Sequence, residues 1–187
     1  MRVIGGEFRS RRLQSLPGRD LRPTPDRLRE SLFNILAPRL KDAVFLDAYA
    51  GTGAVGIEAL SRGAARAIFI EKHRAAVALI RENLTALGLL DRSLVVPGAV
   101  IREIGQHPSD IVFLDPPYPL ENEYADGLQI LARNPPRLAI AQHSRRFDLA
   151  GHYGKLTRTR TLRQGDNCLS FFSSEELEFD RSAGPAT

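Results

Sequence analysis

Short apolar runs alternate with longer segments of helical periodicity through the middle of this chain of 187 residues. The runs end near residues 47, 71, 96, 115 and 141. Runs of this length, separated by segments long enough for a helix, are typical of parallel strands joined by crossover helices. The alternation therefore predicts an α/β fold with a mostly parallel sheet and helices on both faces. Before the first run, Thr24-Pro25 predicts a helix start with Thr24 as the N-cap.

The C-terminal part of the chain has a different pattern, which predicts antiparallel strands. Polar and apolar residues alternate from Lys155 to Leu162, and residues 168–172 are apolar again. Residues 164–167 between them include glycine, aspartate and asparagine, which favour a hairpin turn. We therefore expect a sheet of seven strands, of which the last two form an antiparallel hairpin.

Basic residues are concentrated at residues 1–41 and 145–163. The first block holds ten basic and four acidic residues, the second holds six and one, and 23 of the 26 basic residues are arginine. Arginine binds phosphates through paired hydrogen bonds and stacks on bases. We expect residues 1–41 to form a basic arm and helix that contact a polyanion, residues 42–174 to form the α/β domain, and residues 175–187 to be a disordered tail. The alternative is an arginine-rich surface that binds no partner. For residues 145–163 this alternative and contact with a polyanion are equally favoured.

Several classes of protein and site are excluded by composition. A single cysteine, Cys168, allows neither an intrachain disulfide nor a cysteine-rich zinc site, and the four histidines have no metal-ligand spacing. No apolar run approaches the roughly 20 residues of a membrane helix, and the N-terminus lacks the apolar segment of a secretory signal. We expect a cytoplasmic monomer with no metal and no membrane partner.

A glycine turn after the first predicted strand indicates a cofactor site. Residues 51–56 read Gly-Thr-Gly-Ala-Val-Gly, a spacing that lets backbone approach a ligand at a helix N-terminus, although a tight turn without a ligand has the same spacing. Asp47 ends the strand four residues before Gly51. Its carboxylate would repel the pyrophosphate of NAD and attract the ammonium and sulfonium groups of S-adenosylmethionine. Glu71, at the end of the next strand, suits the ribose hydroxyls of either cofactor.

The apolar strand that ends in Asp115-Pro116-Pro117-Tyr118 is a more specific feature. The prolines end the strand and hold residue 115 extended, which places the Asp115 carboxylate and the Pro116 carbonyl close together as two acceptors. Such a pair can bind an exocyclic amine and favour the pyramidal nitrogen needed for attack on a methyl group, while the Tyr118 ring stacks on the base. A proline strand terminator beside a surface tyrosine is the structural alternative.

Together these motifs resemble those of class I, Rossmann-like methyltransferases, and the N-terminus is similar to that of the RsmD family. Members of this family methylate N2 of one guanine in bacterial small-subunit (16S) ribosomal RNA. The resemblance covers roughly residues 1–172. It is carried by Arg2-Val3-Ile4-Gly5-Gly6, by Arg9 and Arg11-Arg12-Leu13, by residues 22–34 and by the two motifs described above. It implies S-adenosylmethionine as cofactor and ribosomal RNA or the assembling small subunit as partner.

Three sets of residues receive roles from this resemblance. The catalytic set, which holds the guanine amine, is Asp115, Pro116, Pro117 and Tyr118. The cofactor set is Asp47, Gly51, Gly53, Glu71, Ala99 and Val100, of which the last two would act through backbone groups. The RNA-binding set is Arg2, Arg9, Arg11, Arg12, Arg22, Arg27 and Arg29. The chain departs from the family pattern after the fifth strand, where Gln142-His143 replaces an expected Glu-His pair.

Two other enzymatic functions use a similar Pro-Pro-aromatic loop: adenine-N6 methylation of DNA and glutamine-N5 methylation of protein. The chain shows no separate DNA-recognition domain, which argues against site-specific action on DNA. A non-catalytic RNA-binding or ribosome-assembly protein with a relic cofactor pocket is the alternative from a different class. The intact segment from Asp115 to Tyr118 argues against it.

Overall fold

The computed structural model describes residues 1–15, 24–117 and 120–174. The helices in these ranges are α1 Asp26–Leu40, α2 Ala54–Ser61, α3 Arg74–Leu87, α4 Val100–Glu103 and α5 Asn122–Leu131, with short 3₁₀ turns at Leu90–Arg92 and Ile104–Gln106. The strands are β1 Val44–Ala48, β2 Arg66–Glu71, β3 Ser93–Pro97, β4 Ile111–Leu114, β5 Leu138–Ser144, β6 His152–Tyr153, β7 Leu156–Gln164 and β8 Asn167–Ser173.

All eight strands of the described residues form one sheet in the order β3-β2-β1-β4-β5-β8-β7-β6. The first five strands along the chain pair in parallel, and β6, β7 and β8 pair antiparallel. The α/β fold with a mostly parallel sheet and a C-terminal antiparallel hairpin is thus confirmed. The prediction of seven strands missed β6, because two residues are too few to produce a periodic signal.

The central strands β1, β4 and β5 are buried on both faces, which explains why they read as continuous apolar runs. Phe45 of β1 and Phe113 of β4 belong to the apolar cluster under α1. Their neighbours Leu46 and Leu114 belong to the cluster under α4 and α5. Successive side chains of a strand point to opposite faces, so the run has to be apolar at every position to support both layers.

Helix α1 begins at Asp26 without a side-chain cap. The Thr24 side chain is buried, and its hydroxyl donates to Gln142 Oε1 at 3.1 Å. The predicted N-cap role of Thr24 was therefore wrong, because a tertiary hydrogen bond takes the hydroxyl that would have capped the helix. This contact ties the start of α1 to the end of β5.

Residues 1–13 form a hairpin-like loop, the N-terminal arm, which packs on α2 and α3. The Val3 N–H donates to the Arg11 carbonyl at 3.0 Å, and the Leu13 N–H donates to the Met1 carbonyl at 3.0 Å. Val3 and Leu13 are buried in the same apolar cluster as residues of α2, α3 and β2. The arm is therefore a packed part of the domain, and not a loose basic extension.

Some predictions fall on residues that the structure does not describe. Arg22 and Tyr118 lie outside the described residues, as does the predicted tail at 175–187. In the part of the chain that is described, no helix has the length and apolar character needed to cross a membrane. The same part has no group of three or more His, Cys, Asp or Glu side chains that could hold a metal ion.

Candidate active site

The predicted cofactor and catalytic residues meet at the carboxyl edge of the sheet, where β1 lies between β2 and β4. Crossovers run in opposite directions from such a point, and open α/β sheets bind ligands there. A pocket of about 340 Å³ opens at this edge, a size suited to a small organic ligand. It is lined by every predicted cofactor and catalytic residue that the structure describes except Gly53.

Each glycine of the turn serves a distinct structural purpose. Gly51 and Gly53 have φ angles of 56° and 77°, in the left-handed region that side chains rarely adopt. Gly53 is the N-cap of α2, so it shapes the turn without reaching the pocket. A Cβ atom on Gly56 would lie 2.3 Å from the Phe69 ring, so glycine is needed there for close packing of α2 on β2.

Asp47 is buried beneath the turn. Its Oδ2 accepts a hydrogen bond from the Gly56 N–H at 2.8 Å. Burial raises the pKa of Asp47 well above its usual range, and the nearby charges of Asp115 and Glu71 raise it further. These three carboxylates, which with Glu123 line the pocket, repel each other when ionised, and a cationic ligand would relieve that repulsion. The electrostatics of the pocket therefore fit a positively charged molecule.

Glu71 connects the glycine turn to the end of β2. Its Oε2 accepts from the Gly51 N–H at 3.0 Å, and its Oε1 accepts from the His73 N–H at 2.7 Å. A carboxylate has about four lone-pair sites, so these two bonds leave capacity for hydroxyl donors of a ligand. The residue thus has a structural role, and its contact with ribose hydroxyls stays a prediction.

Ala99 and Val100 border the pocket at the start of α4. The first N–H groups of a helix have no intrahelical acceptor. Backbone groups at this position can therefore meet a polar ring edge without a specialised side chain. This is compatible with the predicted contact to the adenine of a cofactor.

Asp115 follows β4 and is oriented by a residue that the sequence analysis did not assign. Gln142 Nε2 donates to Asp115 Oδ2 at 3.1 Å, and the Tyr124 hydroxyl donates to the Gln142 backbone carbonyl. With the Thr24 bond, Gln142 is held from both sides and presents its amide to the carboxylate. The strand register could have identified it, because Leu114 pairs with Ala141 and the residues that follow them, Asp115 and Gln142, then lie side by side.

Two further pocket residues, Tyr49 and His143, have defined structural surroundings. Tyr49 has a φ of 63°, an unusual conformation for a residue with a side chain, and its hydroxyl donates to Glu123. His143 has both ring nitrogens within 2.9 Å of oxygens of Ser144 and Ser170, and burial lowers its pKa. Since both nitrogens are engaged, His143 is a structural residue and not a free base.

Arg29 does not belong to the RNA-binding set. Its side chain is fully buried, donates to the Arg2 carbonyl at 2.7 Å and lies 3.0 Å from Asp26 Oδ1 and 4.0 Å from Glu58 Oε2. The prediction was wrong because Arg29 lies on the apolar face of α1, three and four residues before Leu32 and Phe33. That spacing indicates an inward-facing residue.

The other arginines of the set that are described, Arg2, Arg9, Arg11, Arg12 and Arg27, are exposed. Arg2 and Arg12 pair across the N-terminal arm, next to Met1, which lines the pocket. The far end of the arm meets the end of α2, where the Glu7 N–H donates to the Ser61 carbonyl at 2.8 Å. Helix α2 is eight residues long, so that end of the arm lies roughly 12 Å from the end of α2 that borders the pocket.

A family model described as "Conserved hypothetical protein 95" matches residues 1–173. The chain belongs to this family. It is the RsmD family, so the resemblance carried by the N-terminal signature and the two motifs is confirmed. The match includes the N-terminal arm and the whole α/β domain as far as β8.

Two curated relatives illustrate the extent of the likeness within the RsmD family. The ribosomal RNA small subunit methyltransferase D of Escherichia coli K12 is 46% identical over 120 residues, which are 63% of this chain and 60% of that protein. The aligned part thus spans less than two thirds of that relative's length. A candidate rRNA methyltransferase of Bacillus subtilis 168 is 35% identical over 173 residues, with 86% of this chain and 91% of the relative covered.

A solved structure extends the likeness to three dimensions. A candidate methyltransferase from Escherichia coli matches with a TM-score of 0.81 and 32% identity, and the match covers 92% of this chain and 96% of that one. The fold is therefore the class I methyltransferase fold of the RsmD family.

Proposed function

We propose that this member of the RsmD family methylates the N2 amine of a guanine in small-subunit ribosomal RNA, with S-adenosylmethionine as cofactor. The observation that carries the proposal is that Asp115 and Pro116 share one pocket with Asp47 and Glu71. Asp115 and Pro116 can accept hydrogen bonds from an amine, and the site beside them suits a cation. This combination favours methyl transfer over hydride transfer. The names of the curated relatives support ribosomal RNA as the substrate.

S-adenosylmethionine, when bound, supplies an electrophilic methyl group on a sulfonium. Asp47 would balance the cofactor's positive charge, and the remaining lone pairs of Glu71 would accept the ribose hydroxyls. Backbone groups at Ala99 and Val100 would meet the adenine. Gly51 keeps the turn free of side-chain atoms, which would let the cofactor approach the backbone there.

In the proposed reaction the Asp115 carboxylate and the Pro116 carbonyl accept hydrogen bonds from the two N–H groups of the target amine. These bonds hold the nitrogen with its lone pair out of conjugation and aimed at the methyl group. As the new N–C bond forms and the S–C bond breaks, the nitrogen must lose a proton, and Asp115 is placed to accept it. Tyr118 lies outside the described residues. Its stacking on the guanine is therefore a proposal that rests on the sequence alone.

Transfer of a labelled methyl group tests the proposed function against its alternatives. The protein is supplied with labelled S-adenosylmethionine and, in parallel, with small-subunit ribosomal RNA, duplex DNA and a glutamine-containing protein. We expect label in the RNA alone. Label in DNA or protein would replace this proposal by one of the two other methyltransferase functions. RNA binding without any transfer would favour the non-catalytic assembly role.

We expect the affinity for S-adenosylmethionine to increase as the pH is raised above the range in which an exposed aspartate ionises. Because burial raises the pKa of Asp47, its carboxyl keeps a proton at a pH at which an exposed aspartate is ionised, and only the ionised form attracts the cofactor's cation. Asp47→Asn should weaken binding and flatten this pH dependence, while its side-chain oxygen can still accept the Gly56 N–H. Calorimetry at several pH values measures both effects.

NAD is the control ligand in that calorimetric series, and it should not bind. Binding of S-adenosylmethionine that is equally strong in the Asp47→Asn variant and independent of pH would contradict the role given to Asp47. Measurable binding of NAD without binding of S-adenosylmethionine would overturn the choice of cofactor.

The N-terminal arm is proposed to hold RNA phosphates without taking part in the chemistry. Replacing Arg9, Arg11 and Arg12 by alanine should weaken RNA binding and flatten its salt dependence, because each phosphate contact on a single strand contributes roughly 0.7 to the slope. The three side chains are exposed, so cofactor affinity and the unfolding temperature should stay unchanged. Filter binding at several salt concentrations checks the result, and an unchanged affinity and slope would refute the proposed contact.

A further inference from the structure

The turn of the β7–β8 hairpin lies at the same edge of the sheet as the candidate active site. β8 is antiparallel to both β5 and β7, so this turn stands beside the carboxyl end of β5. Ser144 at that end pairs with Asn167 just after the turn, and both residues line the pocket. The hairpin therefore forms the wall of the pocket on the side away from the N-terminal arm.

Among the six basic residues between positions 145 and 163, Arg158 differs from Arg145, Arg146 and Arg163 in its contacts. Arg158 is used inside the fold, where it donates to the Leu149 carbonyl at 2.9 Å and lies 3.7 Å from Asp148. Arg145, Arg146 and Arg163 are exposed, and none of the ion pairs between described residues includes them. These three arginines are called the C-terminal arginine surface.

Members of the C-terminal arginine surface are held close together by strand pairing. The Arg145 N–H donates to the Asp166 carbonyl at 2.8 Å, which continues the β5–β8 pairing by one residue. Arg163 pairs with Cys168, and Cys168 pairs with His143. Burial raises the pKa of the Cys168 thiol, whereas the charges of Arg163 and Arg145 lower it. Both guanidinium groups are thus near this one residue.

We propose that Arg145, Arg146 and Arg163 form a second RNA-binding surface, which holds backbone phosphates on the β5 side of the target base. The proposal rests on the proposed function and deepens it by assigning a second part of the substrate contact. Guanidinium groups bind phosphate oxygens in pairs. The arrangement of the surface suits a phosphate backbone, because its charges lie along the rim of the pocket and not inside it.

Position relative to the target base explains why two surfaces are needed. Neighbouring strands are about 4.8 Å apart, so β7 lies roughly 14 Å from β4 and from the base held by Asp115. The N-terminal arm lies on α2 and α3, on the other side of the pocket. An RNA strand that is held on both sides of one nucleotide can keep that nucleotide unstacked in the pocket. A surface on one side only would hold the nucleotide less firmly.

RNA binding by a triple variant with Arg145→Ala, Arg146→Ala and Arg163→Ala tests this proposal, with a transcript of small-subunit ribosomal RNA as the probe. We expect affinity to fall about tenfold or more, and the salt slope to decrease by about 2, since each single-strand phosphate contact contributes roughly 0.7. Cofactor affinity and the unfolding temperature should be unchanged, because the three side chains are exposed.

A matched control removes the same charge from the opposite edge of the sheet. Arg66 begins β2, and Arg133 and Arg137 precede β5; all three are exposed. Their replacement by alanine should leave the affinity and the salt slope nearly unchanged. Equal losses in the two triple variants would show an effect of net charge alone and would overturn the proposal, as would unchanged binding in the first variant.

The two possible failures can be distinguished by methyl transfer at saturating RNA. A protein that transfers no methyl group to RNA contradicts the proposed function itself. A protein that transfers it normally while the triple variant keeps its RNA affinity contradicts only the second surface. If the triple variant does not fold, the single variant Arg146→Glu, on an exposed position, should still weaken RNA binding, and an unchanged affinity would then overturn the proposal.

Discussion

The Asp115→Ala variant is expected to transfer methyl groups about a hundredfold more slowly than the unaltered protein. Loss of one preorganised hydrogen-bonding group at a reacting centre costs on the order of a hundredfold in rate, or about 2.7 kcal/mol. Affinity for S-adenosylmethionine should change little, because loss of the Asp115 charge removes one attraction for the cofactor's cation and also one repulsion that raises the pKa of Asp47. The loss should therefore appear in the rate at saturating cofactor, measured in single turnovers.

A graded control for this variant is Gln142→Leu, which keeps the Asp115 carboxylate and removes the amide that orients it at 3.1 Å. We expect a smaller loss, about tenfold, with cofactor affinity again retained. Full turnover in Asp115→Ala, or a loss confined to cofactor binding, would show that Asp115 does not hold the target amine. A loss in Gln142→Leu as large as that in Asp115→Ala would mean that the loop collapses without its hydrogen bond.

The Arg29→Ala variant should lose about 3 kcal/mol of the free energy of unfolding, because it breaks a buried ion pair. Glu58, which Arg29 faces, is fully buried and would lose one of its two positive neighbours. It keeps Arg62 Nε at 2.7 Å and the backbone N–H groups of Ile4 and Gly5 at 2.8 Å each. These remaining partners limit the loss to the lower end of what a broken buried pair costs.

The neighbouring Arg27 provides the matched control for Arg29, since it is exposed on the same helix. Arg27→Ala should leave the free energy of unfolding within about 0.5 kcal/mol, while Arg29→Ala lowers the denaturant midpoint strongly. Chemical denaturation followed by circular dichroism measures both. Equal stability of the two variants would contradict the structural role of Arg29 and return it to the RNA-binding set.

Local patterns were sufficient to predict the parallel part of the sheet and the ligand site at its edge. A strand buried on both faces has to be apolar throughout, and the carboxyl ends of parallel strands meet at one edge. For this reason Asp47, Glu71 and Asp115 could be placed together from their positions after apolar runs, and the structure finds all three around one pocket.

Contacts between distant segments could not be predicted in the same way. The bond from Thr24 to Gln142 joins residues 118 positions apart, and nothing near either residue signals it. The N-terminal signature shows a related difficulty. A Cβ atom on Gly6 would lie 1.9 Å from the Ser61 carbonyl oxygen, so this glycine serves packing of the N-terminal arm, whereas the sequence analysis gave a role only to the arginines of that segment.

Identification of the nucleoside that receives the methyl group tests guanine-N2 methylation most directly. Small-subunit ribosomal RNA from a strain that lacks this gene is incubated with the protein and labelled S-adenosylmethionine, digested to nucleosides and separated by mass. The label is predicted in N2-methylguanosine, at a single position, and absent with Asp115→Ala. Label in N6-methyladenosine, or RNA that stays unlabelled while the protein binds the cofactor, would contradict the proposed reaction.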